Sequence, residues 1–324
     1  MYRYMDYVYA VYKAGSFSAA AEKLYLSQPC LSAMVKKAED QLGVPIFDRS
    51  TKPISLTEYG MQYITFLENI QQMERGFEQY LNDVRGLRTG NLFVGANNAL
   101  ASYVLPGLIH TFKELYPGVQ VQMTEGNISY LENALAGGTI DLVLDNCPMD
   151  TTLFRQHPLG TEHLLLAVHH AFRADTPSSV TRLTYRDILA NRHLLPDTPT
   201  SSIADFTRIP FIALRAGNDT RYRLDCLFAA ANAEGNIQLE VDQLTTAYNI
   251  ACNKLGATLV SDTLLYKAPP NPEMDFYKLD DTTATRPIYL YYKCSRYISL
   301  AMQKFLDVAD MFFSERTNQM LNAR

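Results

Sequence analysis

Apolar positions recur at helical spacing at the start of the chain, and turn-forming residues divide them into short helices. Gly15 can end the first helix, and Ser27 can cap a later one. Pro29 suits the first turn of that later helix, which Gly43 ends. Two helices joined by a tight turn and followed by a short basic hairpin are typical of a winged helix-turn-helix.

The next stretch has the clearest periodicity in the chain. Apolar residues alternate at spacings of four and three, which is typical of a helix with one apolar seam; they are Tyr59, Tyr63, Phe66, Ile70, Met73, Phe77, Tyr80, Val84 and Leu87. Thr57 can cap this helix. A strict 3.5-residue repeat favours a seam between two helices, although packing on the helix's own domain is the alternative. The seam therefore predicts a homodimer, with Phe66, Ile70, Met73 and Phe77 at its centre.

From residue 91 the pattern changes to alternating strands and helices. The expected strands are residues 92–96, 119–125, 140–145, 164–168, 210–214, 237–241, 257–260 and 288–292. The expected helices include residues 100–116, 128–136, 221–233, 244–254 and 298–313. This alternation predicts an α/β fold with largely parallel sheets, and its length favours two lobes.

Composition is ordinary for a globular protein, with 47% hydrophobic and 19% charged residues. The net charge of −5 argues weakly against a nucleic-acid partner. Counted by region, however, the charge is +1 over residues 1–60, −1 over 61–90 and −5 over 91–324. A nearly neutral N-terminal domain is expected to need paired copies and specific contacts to hold DNA, because phosphate binding scales with the number of basic contacts.

Neither a signal peptide nor a membrane span is indicated, because the N-terminus alternates charges with tyrosines and the longest uncharged stretch is rich in Gly, Asn and Pro. These features predict a cytoplasmic protein without membrane contact. The five cysteines are scattered and lack any CxxC pair, which indicates reduced thiols rather than a zinc site or disulfides. Redox sensing through Cys147 or Cys226 is the alternative.

The first ninety residues resemble LysR-type transcriptional regulators. The resemblance lies in the run GSFSAAAEKLYLSQPCLSAMVKKAEDQLGVPIFDRS, residues 15–50, and in LTEYG, residues 56–60. GNLFVGA, VLPGLIHTFKELYPGV and GTIDLVL look like the opening half of that family's effector domain. Ala33 stands where the family commonly has arginine, so one DNA contact is in doubt, and Cys30 replaces a usual alanine.

The resemblance implies three parts and a function. Residues 1–58 would be the winged helix-turn-helix domain, residues 59–90 a linker and dimerisation helix, and residues 91–324 a regulatory domain. That domain would resemble periplasmic binding proteins, with two α/β lobes, the second spanning about residues 164–266. The implied protein is a DNA-binding transcriptional regulator, a dimer or tetramer, whose operator binding responds to a small effector held between the lobes.

DNA contacts are expected on one face of the second helix of the motif. Gln28, Ser32 and Lys36 are four apart and share that face. Glutamine can bond adenine with both ends of its amide, and Pro29 can meet a thymine methyl. Ser27 and the helix N-terminus suit phosphate. On the hairpin, Arg49 and Lys52 suit the DNA backbone or the minor groove.

Effector contacts are expected where strands end and helices begin, which is where open α/β sheets bind ligands. Asn97 and Asn98 follow the first strand, Asn146 follows the third, and Asn218 and Thr220 precede a helix. Because helix N-termini favour negative charge, these positions predict an anionic metabolite. The alternative role of such asparagines is in turns and caps.

Other functions have less support in the sequence. No GxSxG, HExxH, GxxxxGK(S/T) or strand-linked GxGxxG motif is present, so neither an enzyme nor a bound cofactor is expected. The histidines form no metal-ligand spacing. A cytoplasmic solute-binding module is a further alternative, against which the N-terminal DNA-binding motif argues.

Overall fold

The computed structural model describes residues 4–51, 53–84 and 90–322. The chain divides into two compact units. The first is Met1–Tyr80 together with Gly137–Thr139, and the second is Leu81–Ala136 together with Ile140–Arg324. Among the described residues, no helix combines the length and the apolar character needed to cross a membrane.

The first unit is a helix-turn-helix with a small hairpin and a long following helix. In chain order its elements are α1 (Met5–Ala14), α2 (Phe17–Lys23), α3 (Gln28–Leu42), β1 (Phe47–Asp48), β2 (Ser55–Leu56) and α4 (Glu58–Val84). Gly15 and Gly43 end α1 and α3 in the left-handed conformation that glycine adopts without strain. Ser16 and Ser27 cap α2 and α3 with their side chains. The ends at Gly15, Ser27 and Gly43 agree with the predicted ones, because each depends on a local residue type.

The first turn of α4 approaches the strand β1 very closely. Thr57 Oγ1 accepts a hydrogen bond from the backbone N–H of Gly60 at 2.9 Å, which confirms the predicted cap. The Thr57 backbone N–H donates to the carbonyl of Ile46 at 3.0 Å. A Cβ at Gly60 would overlap that same carbonyl, so only glycine fits here.

The apolar seam of α4 serves two different purposes along its length. Apart from the exposed Tyr59, its N-terminal half packs into the core of the first unit, where Tyr63 is buried and Phe66 is half-buried. Beyond the half-buried Ile70, the side chains of Met73, Phe77 and Tyr80 are 68%, 62% and 52% exposed. The first half of the seam therefore packs within its own domain, as in the alternative considered above, whereas the second half forms an exposed apolar stripe. The Val84 side chain and Leu87 lie outside the described residues.

The second unit contains two α/β lobes that share one long strand. In chain order its elements are β3 (Gly90–Ala96), α5 (Asn98–Tyr103), α6 (Leu105–Leu115), β4 (Val119–Glu125), α7 (Ile128–Ala136), β5 (Leu142–Asp145), β6 (Phe154–His169), α8 (Tyr185–Leu189), β7 (Phe211–Leu214), α9 (Asp219–Ala230), β8 (Ile237–Val241), α10 (Leu244–Cys252), β9 (Thr258–Ser261), α11 (Asp262–Leu265), β10 (Met274–Lys278), β11 (Thr285–Lys293) and α12 (Leu300–Asn322). Lobe I comprises β3–β5, β11, α5–α7, α12 and the first half of β6. Lobe II comprises the second half of β6 and the elements from α8 to β10.

Strand β6 connects the lobes by changing partners. Its first half pairs with β11, as far as the partner pair His163 and Thr285. Its second half pairs with β9 and β10, beginning with Leu164 opposite Ser261. All pairings of β6 are antiparallel, whereas β3 is parallel to both β4 and β5. The sheet is therefore mixed, and the expectation of largely parallel sheets was wrong.

Three elements differ from the predicted pattern. The helix expected over residues 100–116 is divided at Val104, because α6 restarts with Pro106 in its first turn. Strand β6 begins ten residues before the predicted strand, since Pro158 and Gly160 break the apolar alternation of that half. Strand β10 was not predicted.

Two histidines and an aspartate meet where β6 crosses between the lobes. Asp262 Oδ2 lies 3.0 Å from Nδ1 of His163 and 3.4 Å from Nε2 of His193, and its Oδ1 accepts the backbone N–H of His163 at 3.2 Å. The three ligand-type atoms lie within 4.8 Å of one another. The sequence spacing gave no sign of this cluster, because its members are 30 and 69 residues apart. Burial alone would raise the pKa of Asp262, but hydrogen bonds and charges from both histidines outweigh burial and lower it to about 2.

We predict that Gly60→Ala destabilises the chain by about 1–3 kcal/mol, because the added methyl overlaps backbone that cannot move aside cheaply. Gly76→Ala is the matched control on the same helix, where a Cβ meets nothing within 4 Å. That change should instead stabilise by about 0.5–1 kcal/mol through helix propensity. Urea unfolding followed by circular dichroism measures both, and equal effects of the two substitutions would contradict the close approach.

We also predict that Asp262→Asn removes a pH-dependent part of stability. Since the folded pKa of Asp262 lies near 2, below its ordinary value, the ionised carboxylate stabilises the fold above about pH 4. This contribution is lost as the pH falls towards 2. The difference in unfolding free energy between wild type and variant should therefore shrink from pH 5 to pH 2. Asp307→Asn, which removes an exposed partner of Lys304, should show little difference at any pH.

Candidate functional sites

Outside the hairpin, the side chains that were predicted from the sequence to contact DNA lie at the N-terminal end of α3. Ser27 Oγ accepts the backbone N–H of Cys30 at 3.4 Å, and Pro29 lies exposed in the first turn. Gln28 Nε2 donates to Ser32 Oγ at 3.0 Å, which holds these two side chains together on one face of the helix. Lys36 lies exposed one turn further along. These five predicted residues thus occupy one surface.

Tyr25 extends this surface, although the sequence indicated only a turn at this position. Its backbone φ of 55° is left-handed, and its side chain is 97% exposed. A bulky residue seldom adopts this conformation, because its Cβ crowds the backbone. The turn between α2 and α3 therefore carries a fully presented aromatic ring beside the N-terminus of α3.

The hairpin is attached to α3 through one carboxylate. Glu39 Oε1 accepts the backbone N–H groups of Ile46 and Phe47 at 2.9 and 3.2 Å. Its Oε2 accepts a hydrogen bond from Arg49 at 2.9 Å, and the Arg49 guanidinium lies 5.3 Å from the ring centroid of Phe17. Arg49 is exposed, and these two contacts hold its guanidinium group in a defined position. Lys52, the other predicted hairpin contact, lies outside the described residues.

A cleft of about 530 Å³ lies between the two lobes of the second unit. All five residues predicted to contact an effector line it: Asn97, Asn98, Asn146, Asn218 and Thr220. Three separate strand ends thus converge on one cavity, which is the geometry expected of an open α/β sheet.

The asparagines combine capping with cleft lining. Asn97 Oδ1 caps α5 by accepting the backbone N–H of Leu100 at 3.0 Å, and Asn218 caps α9 through the N–H of Thr220 at 2.9 Å. The amide nitrogen of Asn97 donates to Asp145 Oδ1 at 3.0 Å. Asn97 and Asn218 therefore have the local capping role that was considered as an alternative, and both also line the cleft.

Arg286 is the buried cation of this cleft, and the sequence reasoning missed it. Its Nε donates to Glu162 and its Nη1 donates to Asp219, both at 2.7 Å. Nη1 also lies 3.1 Å from the hydroxyl of Thr220. Burial alone would lower the pKa of Arg286, but the two carboxylates raise it. The sequence feature that could have identified it is a single arginine in an otherwise largely apolar strand, β11. The network joins β6 and β11 to α9 of lobe II.

Asp145, at the end of β5, lies at the floor of the cleft. Its Oδ1 accepts hydrogen bonds from Asn97 and from the backbone N–H groups of Asn146 and Cys147, whereas its buried Oδ2 has no hydrogen-bond partner. Burial raises the pKa of Asp145, and the three hydrogen bonds oppose that rise. The residue therefore offers an acceptor that no described group satisfies.

Cys147 is poorly suited to redox sensing. Burial, followed by the charge of Asp145, raises the pKa of its thiol and so disfavours the reactive thiolate. All five cysteines, including Cys226, are free in the structure. These observations weigh against the alternative of a redox sensor using Cys147.

The charge of the lining does not favour the anionic effector expected from the sequence. The first turn of α9 already contains Asp219, and Asp242 lies just before α10. These carboxylates occupy the N-terminal ends that would otherwise attract an anion.

Comparison with known proteins covers both units. Residues 2–61 match the family model described as "Bacterial regulatory helix-turn-helix protein, lysR family", and residues 85–312 match "LysR substrate binding domain". An uncharacterised HTH-type transcriptional regulator of Bacillus subtilis is 26% identical, over 94% of this chain and 92% of its own length. A probable RuBisCO transcriptional regulator of Gracilaria tenuistipitata is 28% identical, over 91% of each chain.

A solved structure has the same fold. Full-length CbnR in complex with its target DNA superimposes with a TM-score of 0.67 at 21% identity, over 96% of this chain and 99% of CbnR. The two family models together account for most of the chain and for both units described above. The chain belongs to the LysR family of DNA-binding transcriptional regulators, with a helix-turn-helix domain and an effector-binding substrate domain.

Proposed function

We propose that the exposed N-terminal face of α3 reads operator DNA and that a small molecule in the cleft between the lobes modulates this binding. The observation that carries the proposal is the hydrogen bond between the exposed Gln28 and the half-buried Ser32 at the start of α3. A recognition helix reads base edges with such N-terminal residues. On DNA, the Gln28 amide would exchange its bond to Ser32 for two bonds to adenine.

Phosphate contacts would come from the residues around this reading pair. The candidates are the exposed Ser27, Lys36 and Arg49 together with the N-terminus of α3, and Lys52 is a further candidate from the sequence. Because Glu39 already pairs with Arg49, that side chain would act mainly by its fixed position. Pro29 would meet a thymine methyl. With so few free cations, one domain alone is expected to bind weakly.

A second copy of the chain would supply the missing affinity. The exposed apolar side chains of Met73 and Phe77 on α4 support pairing of two such helices, with Phe66 and Ile70 at the inner end of the seam. Two linked domains bind neighbouring half-sites with a gain of ~10²–10⁴ in avidity. The operator is then expected to have dyad symmetry, and dimers could assemble further into tetramers.

The division of labour along the chain follows the parts named above. We propose DNA binding for residues 1–58, dimerisation for 59–90 and ligand response for 91–324, with the second lobe starting near residue 164. Ligand contact would involve Asn97, Asn98, Asn146, Asn218 and Thr220, all of which line the cleft. A ligand that binds one lobe arrangement better than another shifts the population towards it.

The remaining alternatives have less support. A solute-binding module would not need the α3 surface, and a redox sensor would need a thiolate that the surroundings of Cys147 disfavour. Regulators of this family act on transcription, so we propose no enzymatic activity and no cofactor for this chain. Since its partner is genomic DNA, we propose the cytoplasm as its location.

We predict that Gln28→Ala weakens operator binding roughly 5- to 150-fold, the equivalent of ~1–3 kcal/mol for one bidentate base contact. The operator is first obtained by selecting bound duplexes from a randomised library with the wild-type protein. Fluorescence anisotropy then gives Kd against salt concentration. The salt dependence should stay unchanged, because no phosphate contact is lost.

Gln41→Ala is the matched control, because Gln41 is an exposed glutamine at the opposite end of α3. Its Kd should equal that of wild type. A Gln28→Ala protein with wild-type affinity and unchanged base preference would show that this helix face does not read the operator.

We predict that Phe77→Asp converts the oligomer to monomers and weakens operator binding by at least ~100-fold, since two linked contacts become one. Phe77 is exposed in the single chain, so the change should leave the fold intact. Analytical ultracentrifugation and footprinting measure the two effects. Leu255→Asp, at an exposed position of lobe II, is the control and should alter neither. Full protection of the operator by the Phe77 variant would refute dimerisation through α4.

A further inference from the structure

We propose that the cleft between the lobes selects a ligand that carries an ammonium group, or a comparable cluster of N–H donors, in preference to a carboxylate. The inference rests on the proposed function and names the chemical class of the effector. It follows from three properties of the lining: the excess of carboxylates, the buried acceptor atoms without a hydrogen-bond partner, and the acidic residues at its helix N-termini.

The charged side chains of the lining are mostly acidic. Four carboxylates line the cleft against two guanidinium groups: Glu125, Asp145, Asp219 and Asp242 against Arg215 and Arg286. Asp145 is fully buried and burial raises its pKa, so most of the negative charge of the lining comes from Glu125, Asp219 and Asp242. The cleft therefore has a negative potential that attracts a cation and repels an anion.

Both guanidinium groups of the lining already pair with carboxylates of the protein. Arg286 is held between Glu162 and Asp219, and Arg215 pairs with Asp242 through contacts of 3.1 Å. Recruiting Arg286 to a carboxylate ligand would leave a buried carboxylate of the protein without its partner. That loss is costly, because an unpaired buried charge keeps its full desolvation penalty.

The unsatisfied buried atoms at the cleft are hydrogen-bond acceptors. Asp145 Oδ2 and Asn98 Oδ1 belong to lining residues, and Glu162 Oε1 belongs to the partner of Arg286; none has a donor among the described residues. Acceptors at the cleft are complementary to hydrogen-bond donors on a ligand. A carboxylate would add further acceptors, whereas an ammonium group provides three donors and no acceptor.

The floor of the cleft is held rigidly enough to recognise such a group. Three N–H donors fix Asp145 Oδ1, and Asn98 is fixed by its bond to Glu125 Oε1 at 2.7 Å. Asn146 in turn donates to Glu162 at 2.8 Å. The free acceptors of Asp145 and Asn98 therefore have defined positions in lobe I, and little ordering is needed on binding.

The N-terminal ends of α9 and α10 also favour a cationic ligand over an anionic one. The first turn of α9 contains Asp219, and Asp242 lies two residues before α10. The chain itself thus supplies the negative charge that the helix dipoles favour. An additional anion would meet these carboxylates rather than open N–H groups.

The test uses three probes of equal chain length, which are 1,4-diaminobutane, 1,4-butanediol and hexanedioate. Thermal unfolding of the full chain is measured against probe concentration at pH 7.5 and constant ionic strength. We expect the diamine to raise Tm in a saturable manner, because a ligand of the folded state stabilises it by mass action. The diol should raise Tm much less, and hexanedioate should not raise it.

Variants locate the effect. Asp145→Asn keeps the shape and removes the charge, so it should weaken diamine binding by roughly 10-fold or more. Glu125→Gln, at the exposed rim, should weaken it several-fold and carries no risk to the fold. Glu114→Gln removes an exposed carboxylate on α6 outside the cleft and should behave as wild type.

Three results would overturn the assignment: stabilisation by hexanedioate without stabilisation by the diamine, no effect of the diamine on wild type, or an equal diamine effect in all variants. Failure of the proposed function has a different signature. In that case the affinity for the selected operator would not respond to any probe that binds the cleft, whatever its charge.

Discussion

The regulatory half of the molecule depends on one buried ion-pair network at the meeting point of its lobes. Arg286 of β11 lies between Glu162 of β6 and Asp219 of α9, and all three side chains are nearly or fully buried. Breaking such a network by removing one partner is strongly destabilising, because the other charges stay buried without compensation. The strand that passes between the lobes, the helix that borders the cleft and the charge of the cavity are therefore coupled through a single guanidinium.

The sequence predicted most of what depends on local residue chemistry. Caps such as Ser27 and Thr57, the glycine ends of α1 and α3, and the polar strand ends at Asn97 and Asn146 appear where expected. What it did not predict depends on residues distant in sequence. Arg286 meets Glu162 across 124 positions, and a mixed sheet arises because β6 changes partners midway. The periodicity of one sequence cannot predict such long-range pairings.

Helix α4 illustrates how one pattern can encode two interactions. Its heptad repeat is uniform along the chain, yet Tyr63 lies in the core and Phe77 lies in solvent. Hydrophobic spacing identifies the face of a helix, and only the neighbouring elements decide what covers it. The half that remains uncovered is the half for which a second copy of the chain is proposed.

The contact between Gly60 and Ile46 has a consequence for the spacing of the two half-sites that a dimer would bind. Because the hairpin is joined to α3 through Glu39 and to α4 through this contact, the direction in which α4 leaves the domain is rigidly defined. The rotational phase between the reading face and the exposed stripe is then set by the number of residues between them. Each inserted residue would turn the stripe by about 100° around the helix axis. The length of α4 would thus act as a ruler for half-site geometry.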